Sequence, residues 1–185
     1  MELLRSGHLA TTPLPTDVST LVDTYSTSLW PFCRKLAYSE ADAEDLLQDT
    51  FLYVCKHPHK WLASQNPKSF LFGVAVNLFK SQKRRYARRE RIAPTSALTD
   101  ELNPPSDHNT EQSVIAGETQ QLVQRTVQSL PDKYRVVVLL HYISEMGVAE
   151  IATTLGIPAG TVKSRLHKAR QLIEHKLGEV GYEYP

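Results

Sequence analysis

Cysteine is scarce in this 185-residue chain: Cys33 and Cys55 stand far apart and in no CxxC arrangement, which excludes a disulfide scaffold. Both are expected to be core thiols in a reducing compartment. No apolar run approaches the length needed to span a bilayer, and the leader "MELLRSGHLATTPLPTD" lacks the continuous apolar core of a signal peptide. Stable membrane insertion is therefore not expected, and the cytoplasm is the expected location. Alternating β-branched segments never occur together, so an all-α fold is expected. The formal net charge is only +1, which would argue against a nucleic-acid partner if the charges were evenly spread.

They are segregated instead. From Leu78 to Arg91 seven cations (Lys80, Lys83, Arg84, Arg85, Arg88, Arg89, Arg91) face one acid, Glu90. From Ile92 to Pro131 the acids Asp100, Glu101, Asp107, Glu111 and Glu118 oppose Arg125 alone. A second cationic cluster, "PAGTVKSRLHKAR", brings Lys163, Arg165, His167, Lys168 and Arg170 together near the other end of the chain. A neutral protein can thus present two cationic faces.

In that second cluster Val162, Leu166 and Ala169, continued by Ile173 and Leu177, recur at the spacing of one helical stripe. The preceding "VAEIATTL" predicts a short helix closed by Gly156, with Pro158 starting the longer one. Short helix, glycine turn and basic helix make a helix-turn-helix, whose second helix enters the major groove. The apolar stripe would dock on Ile151, Leu155 and a helix from Tyr134 to Ile143, leaving Lys163, Ser164, His167, Lys168 and Gln171 outward.

Upstream, periodicity predicts a helix over about 17–37 and, after a capping box in "SEAD", a second to about Lys56. The second would bury Ala43, Leu46, Leu47, Thr50, Phe51 and Val54 and expose Asp42, Asp45, Gln48 and Asp49. That acidic face reads as a solvated surface, a metal site lacking loop ligands, or a dock for a basic partner. "KHPHKWLASQNPKS" is expected to be a loop because of Pro58 and Pro67, with Pro67 opening a third helix. That helix starts as "SFLFGVAVNLF" and emerges as the basic run; Asn77, Tyr86 and the cations suit unstacked single-stranded bases, whereas Phe70, Phe72 and Phe79 read better as core. "APTSALTDELNPPSDHNTEQ" breaks all periodicity, as a linker does.

No catalytic constellation stands out. The best enzymatic case, zinc at Cys55, His57 and His59 of "CKHPH", lacks a fourth ligand with matching spacing, so neither metal nor other cofactor is expected and the chain does not read as an enzyme.

The residues at this point resemble a known family, the extracytoplasmic-function (ECF) sigma factors of bacterial RNA polymerase. "DAEDLLQDTF" is similar to that family's core-polymerase-binding segment and "SFLFGVAVNLFKSQKRR" to its promoter-melting, minus-ten-reading helix. "LPDKYRVVVLLHYISEMGVAEIATTLGIPAGTVKSRLHKAR" is similar to its minus-thirty-five-reading domain. The resemblance implies two small helical domains joined by a flexible linker, the second a helix-turn-helix. The implied boundaries are a leader over 1–16, region 2 over 17–91, a linker over 92–113 and region 4 over 114–185. It further implies that Asp42, Asp45, Gln48 and Asp49 meet core polymerase. Asn77, with Lys80, Lys83, Arg84 and Arg85, would serve the minus-ten element, Asn77 by holding a flipped base. Thr161, Lys163, Ser164, His167, Lys168 and Arg170 would serve the minus-thirty-five element. Core RNA polymerase and promoter DNA are the implied partners, and an anti-sigma factor is a candidate one. Two positions depart from the pattern: Gly73 stands where an arginine is usual and Ser81 where an aspartate is usual. A LuxR-type regulator, whose terminal helices look similar to "EIATTLGIPAGTVKSRL", is the alternative.

Overall fold

The computed structural model describes residues 17–64, 66–92 and 121–179, with the backbone alone for 89–92. The leader over 1–16, the expected linker apart from residue 92, and residues 114–120 and 180–185 lie outside the described residues. Every regular element among the described residues is helical. The elements are α1 (Val18–Leu36), α2 (Glu40–Lys56), α3 (Pro58–Leu62), α4 (Pro67–Ile92), α5 (121–128), α6 (Asp132–Tyr142), α7 (Val148–Leu155) and α8 (Ala159–Glu179). No described helix is long and apolar enough to cross a membrane.

The local signals act as chemistry requires. Asp17 caps α1 by accepting from the Thr20 amide at 2.8 Å. Ser39 caps α2 by accepting from the Asp42 amide at 3.1 Å. The Asp42 carboxylate accepts from the Ser39 hydroxyl at 2.7 Å, so the two side chains hold each other while one orphan amide of this helix start, that of Asp42, is satisfied locally. Within α2 the buried side chains are Ala43, Leu46, Thr50 and Val54, and the Thr50 hydroxyl is silenced by donating to the Leu46 carbonyl at 2.6 Å. Leu47 and Phe51 are half-buried at the edge of this stripe, not within it.

Two expectations are corrected. The segment after α2 is not all loop: Pro58 sits at the first turn of α3, where a missing N–H costs nothing, and the short helix drives Trp61 into the core. Cys33 is buried as expected, but Cys55 is exposed, because it lies about 100° around the helix from the buried Val54. Burial pushes the Cys33 thiol up to about 12.

α1, α2, α3 and α4 pack together, with Phe32 and Phe72 meeting edge to face at 5.1 Å. α6, α7 and α8 form a second group, in which Val162, Leu166, Ala169 and Leu177 are buried and Ile173 is half-buried. The two groups are not apart. α4 lies on α7 and α1 on α6, and one continuous apolar cluster runs from Leu21 through Phe72 and Phe79 to Val137, Ile151 and Val162.

Candidate nucleic-acid interface

Gly156 closes α7 with φ 62° and ψ 39°, a left-handed conformation that disfavours a side chain, and the chain turns there into α8. The buried stripe of α8 then sets which side faces outward. Lys163, Ser164, His167, Lys168 and Gln171 are all exposed, as the spacing predicts. Gln171 links them, its amide 3.2 Å from His167 Nε2 and its oxygen accepting from Lys168 at 3.4 Å. Thr161 is half-buried at the head of this face. Arg170 is exposed but turned aside: its Nε donates to the Tyr142 hydroxyl at 3.1 Å, and it borders a different feature, an apolar groove of about 840 Å³ between α1, α5, α6 and α8.

Beside the polar face of α8 lies a hollow of about 340 Å³ lined by Lys133, Tyr134, Thr161, Ser164, Arg165 and Lys168. Three cations and three hydroxyl side chains around one depression suit a phosphate oxygen. Sequence reasoning missed Lys133 here, because helical spacing along α8 carries no information about a residue on α6. Arg165 was visible in the basic run, but its place at the border of the apolar stripe hid its direction.

On α4 every residue from Leu71 to Val76 is buried, and so is Phe79, yet Asn77 is exposed. An amide projecting from an otherwise dry stretch is available to hydrogen-bond an outside partner. Lys80, Lys83, Arg84, Arg85, Arg88 and Tyr86 extend this surface along the helix, all exposed. Phe72 and Phe79 are core and Phe70 is half-buried, which leaves Tyr86 as the aromatic face on offer. Lys83 is engaged within the chain: its ammonium donates to Asp132 at 2.6 Å. That bond, followed by one with Tyr38, pushes the Lys83 pKa above its ordinary value and keeps it charged.

The third surface is on α2. Asp45, Gln48 and Asp49 are exposed on one side, whereas Asp42 is half-buried and occupied at the helix cap. Asp49 accepts from Gln82 at 3.5 Å, so the acidic face adjoins the basic helix. No cluster of three His, Cys, Asp or Glu side chains suited to a metal ion occurs among the described residues. His57 is instead stacked on Tyr53 at 4.2 Å, with Nδ1 2.8 Å from the Tyr53 carbonyl.

Comparison with known proteins follows the same division. The family described as Sigma-70 region 2 matches residues 21–89, and Sigma-70, region 4 matches residues 120–173. The chain is 33% identical over 162 residues to the ECF RNA polymerase sigma factor SigL of Mycobacterium tuberculosis, covering 87% of this chain and 89% of that one. It is 29% identical over 165 residues to the ECF RNA polymerase sigma factor SigW of Bacillus subtilis, covering 86% and 88%. In fold it is similar to the sigma factor RpoE crystallised with the anti-sigma factor NepR from Bartonella quintana, at TM-score 0.73 and 22% identity over 89% of this chain and 98% of that one. It is also similar to CnrH in complex with the cytosolic domain of CnrY, at TM-score 0.59 and 23% identity over 88% of each chain. A match of region 2 over residues 21–89 disfavours a LuxR-type regulator, whose N-terminal part is a sensor or receiver domain.

Proposed function

We propose a division of labour for this chain, which belongs to the ECF RNA polymerase sigma factors and directs promoter-specific transcription initiation with core RNA polymerase. Residues 17–91 act as region 2 and residues 114–185 as region 4. The exposed Asp45, Gln48 and Asp49 on α2 dock a basic surface of the polymerase, with Asp42 serving the helix cap beside them. Asn77 holds an unstacked base of the minus-ten element while Lys80, Lys83, Arg84 and Arg85 hold its backbone. Lys163, Ser164, His167 and Lys168 face the major groove of the minus-thirty-five element, with Thr161 at the head of the helix and Arg170 at its flank. Lys133 and Arg165 add phosphate contacts from the neighbouring hollow. The chain contributes no bond chemistry of its own and works where the polymerase does, in the cytoplasm. An anti-sigma factor is a further partner, and the apolar groove rimmed by Lys35 and Arg170 is the surface suited to it.

The observation that carries the minus-ten assignment is the exposure of Asn77 within a buried stretch. An amide can reach a base edge only after the base has left the stack, so its loss falls on promoter opening and spares closed-complex formation. Asn77→Ala is expected to lower the reactivity of melted thymines to permanganate by roughly 3- to 10-fold, the value of one hydrogen bond. Unchanged melting by a normally folded variant would make Asn77 a structural helix residue.

A further inference from the structure

The groove of about 840 Å³ between α1, α5, α6 and α8 is built differently from the three polar surfaces. Its walls are Val127, Val138, Leu139, Ile143, Ile173 and Leu177. Its volume lies within the roughly 300–1,000 Å³ usual for small-molecule sites, which combine apolar walls with a few placed polar groups.

The charged groups of the groove are Lys35 on α1 and Arg170 and Glu174 on α8. Lys35 is half-buried, and its ammonium has neither an ion pair nor a hydrogen bond among the described residues. Its pKa lies below the ordinary lysine value, first because burial disfavours the charge and second because Arg34 repels it. An anion beside it would offset both effects. Arg170 is steadied instead: its Nε donates to the Tyr142 hydroxyl at 3.1 Å, which leaves its terminal amino groups unengaged among the described residues. Glu174 stands one turn further along α8, is exposed to water, and pairs with neither cation. Lys35 and Arg170 against Glu174 leave the groove with a single positive charge. That balance suits one carboxylate and not a phosphate dianion, and the apolar walls demand an aliphatic remainder.

We propose that this groove is a binding site for a free fatty acid, its carboxylate held by Lys35 and Arg170 and its acyl chain laid along the walls of α5, α6 and α8. Binding needs no second protein. The groove is also the surface assigned above to an anti-sigma factor, so an acyl chain within it and that partner exclude each other. This consequence rests on that reading, and binding of the acid does not.

Isothermal titration calorimetry of the full chain with dodecanoate, tetradecanoate and dodecanol, each below its aggregation concentration, tests the site. One equivalent of dodecanoate should bind, and tetradecanoate should bind roughly tenfold more tightly, the value of two further buried methylenes. Dodecanol keeps the chain and drops the charge, so it should bind roughly 10- to 100-fold more weakly than dodecanoate. Lys35→Met keeps an apolar stem and removes the ammonium. It should weaken dodecanoate about tenfold and leave dodecanol unchanged. Val123→Trp, at an exposed position on the wall of the groove, should plug it and abolish uptake of both ligands with the helical spectrum intact. Should that variant lose helicity, the contrast between acid and alcohol in Lys35→Met decides alone.

No binding of tetradecanoate, or several equivalents bound regardless of a folded Val123→Trp, overturns the proposal. So does equal affinity of the unaltered chain for acid and alcohol, or a Lys35→Met effect that is the same on both. Concentration-dependent dimerisation without uptake, lost in Val123→Trp, gives the groove to a second copy of the chain and likewise overturns it. Each of these outcomes leaves the assignment to core polymerase and promoter intact, because transcription is read separately.

Discussion

Leu166→Asp is expected to unfold the C-terminal half of the chain and abolish promoter binding. Leu166 is buried in the stripe that seats α8 on α6 and α7. Its removal alone would cost about 2–5 kcal/mol in lost transfer energy and cavity formation. The carboxylate that replaces it must in addition be desolvated or protonated in an apolar site, and the sum rivals the roughly 5–15 kcal/mol that stabilises a typical domain. Circular dichroism and thermal melting of the full chain would register the loss. Lys168→Ala, two positions away on the exposed face, should leave both signals unchanged. It should instead lower DNA affinity across sequences and flatten the dependence of log affinity on log salt by about 0.9, the value of one neutralised phosphate. A folded Leu166→Asp protein that binds normally would mean that the two faces of α8 are reversed.

The second large effect is on polymerase affinity. Asp45 and Asp49 lie one helical turn apart and both are exposed, so Asp45→Arg with Asp49→Arg removes two attractions to a basic partner and adds two repulsions. Core polymerase should bind the double variant roughly 10- to 100-fold more weakly, with a normal helical spectrum. The weakening should diminish as salt is raised, because exposed charges are screened over about 10 Å at 0.1 M. Unchanged affinity with an intact fold would make this face merely solvated.

How these faces were legible in the chain differs from one element to the next. The two sides of α8 could be read directly, because Val162, Leu166 and Ala169 recur at helical spacing and each is buried. Ser39 and Gly156 marked helix ends for the same local reason: an unpaired amide needs an oxygen, and a left-handed residue is best without a Cβ. α3 was hidden because five residues are too few to show a period, and Pro58 read as a breaker although it starts the helix. Periodicity also says that a side chain is polar without saying what it meets. Lys83 was read as serving the minus-ten element, and its spacing gave no sign of its ion pair with Asp132, 49 residues away, or of the bond from Asn66 to Glu150 across 84. Such contacts depend on how the halves lie together, which no local spacing encodes. Gly73 was visible as a departure from a family pattern, but its meaning emerged only with Thr154 beside it, where a Cβ would sit 3.0 Å from the Thr154 carbonyl oxygen.

Reconstituted transcription separates a promoter-selecting subunit from a bystander: core polymerase, a library of promoter fragments, and the chain either added or withheld, with the 5′ ends of the transcripts mapped. Discrete start sites, downstream of a shared pair of sequence elements, are expected to arise with the chain and vanish without it. The same start sites at the same yield from core polymerase alone would contradict a promoter-selecting role.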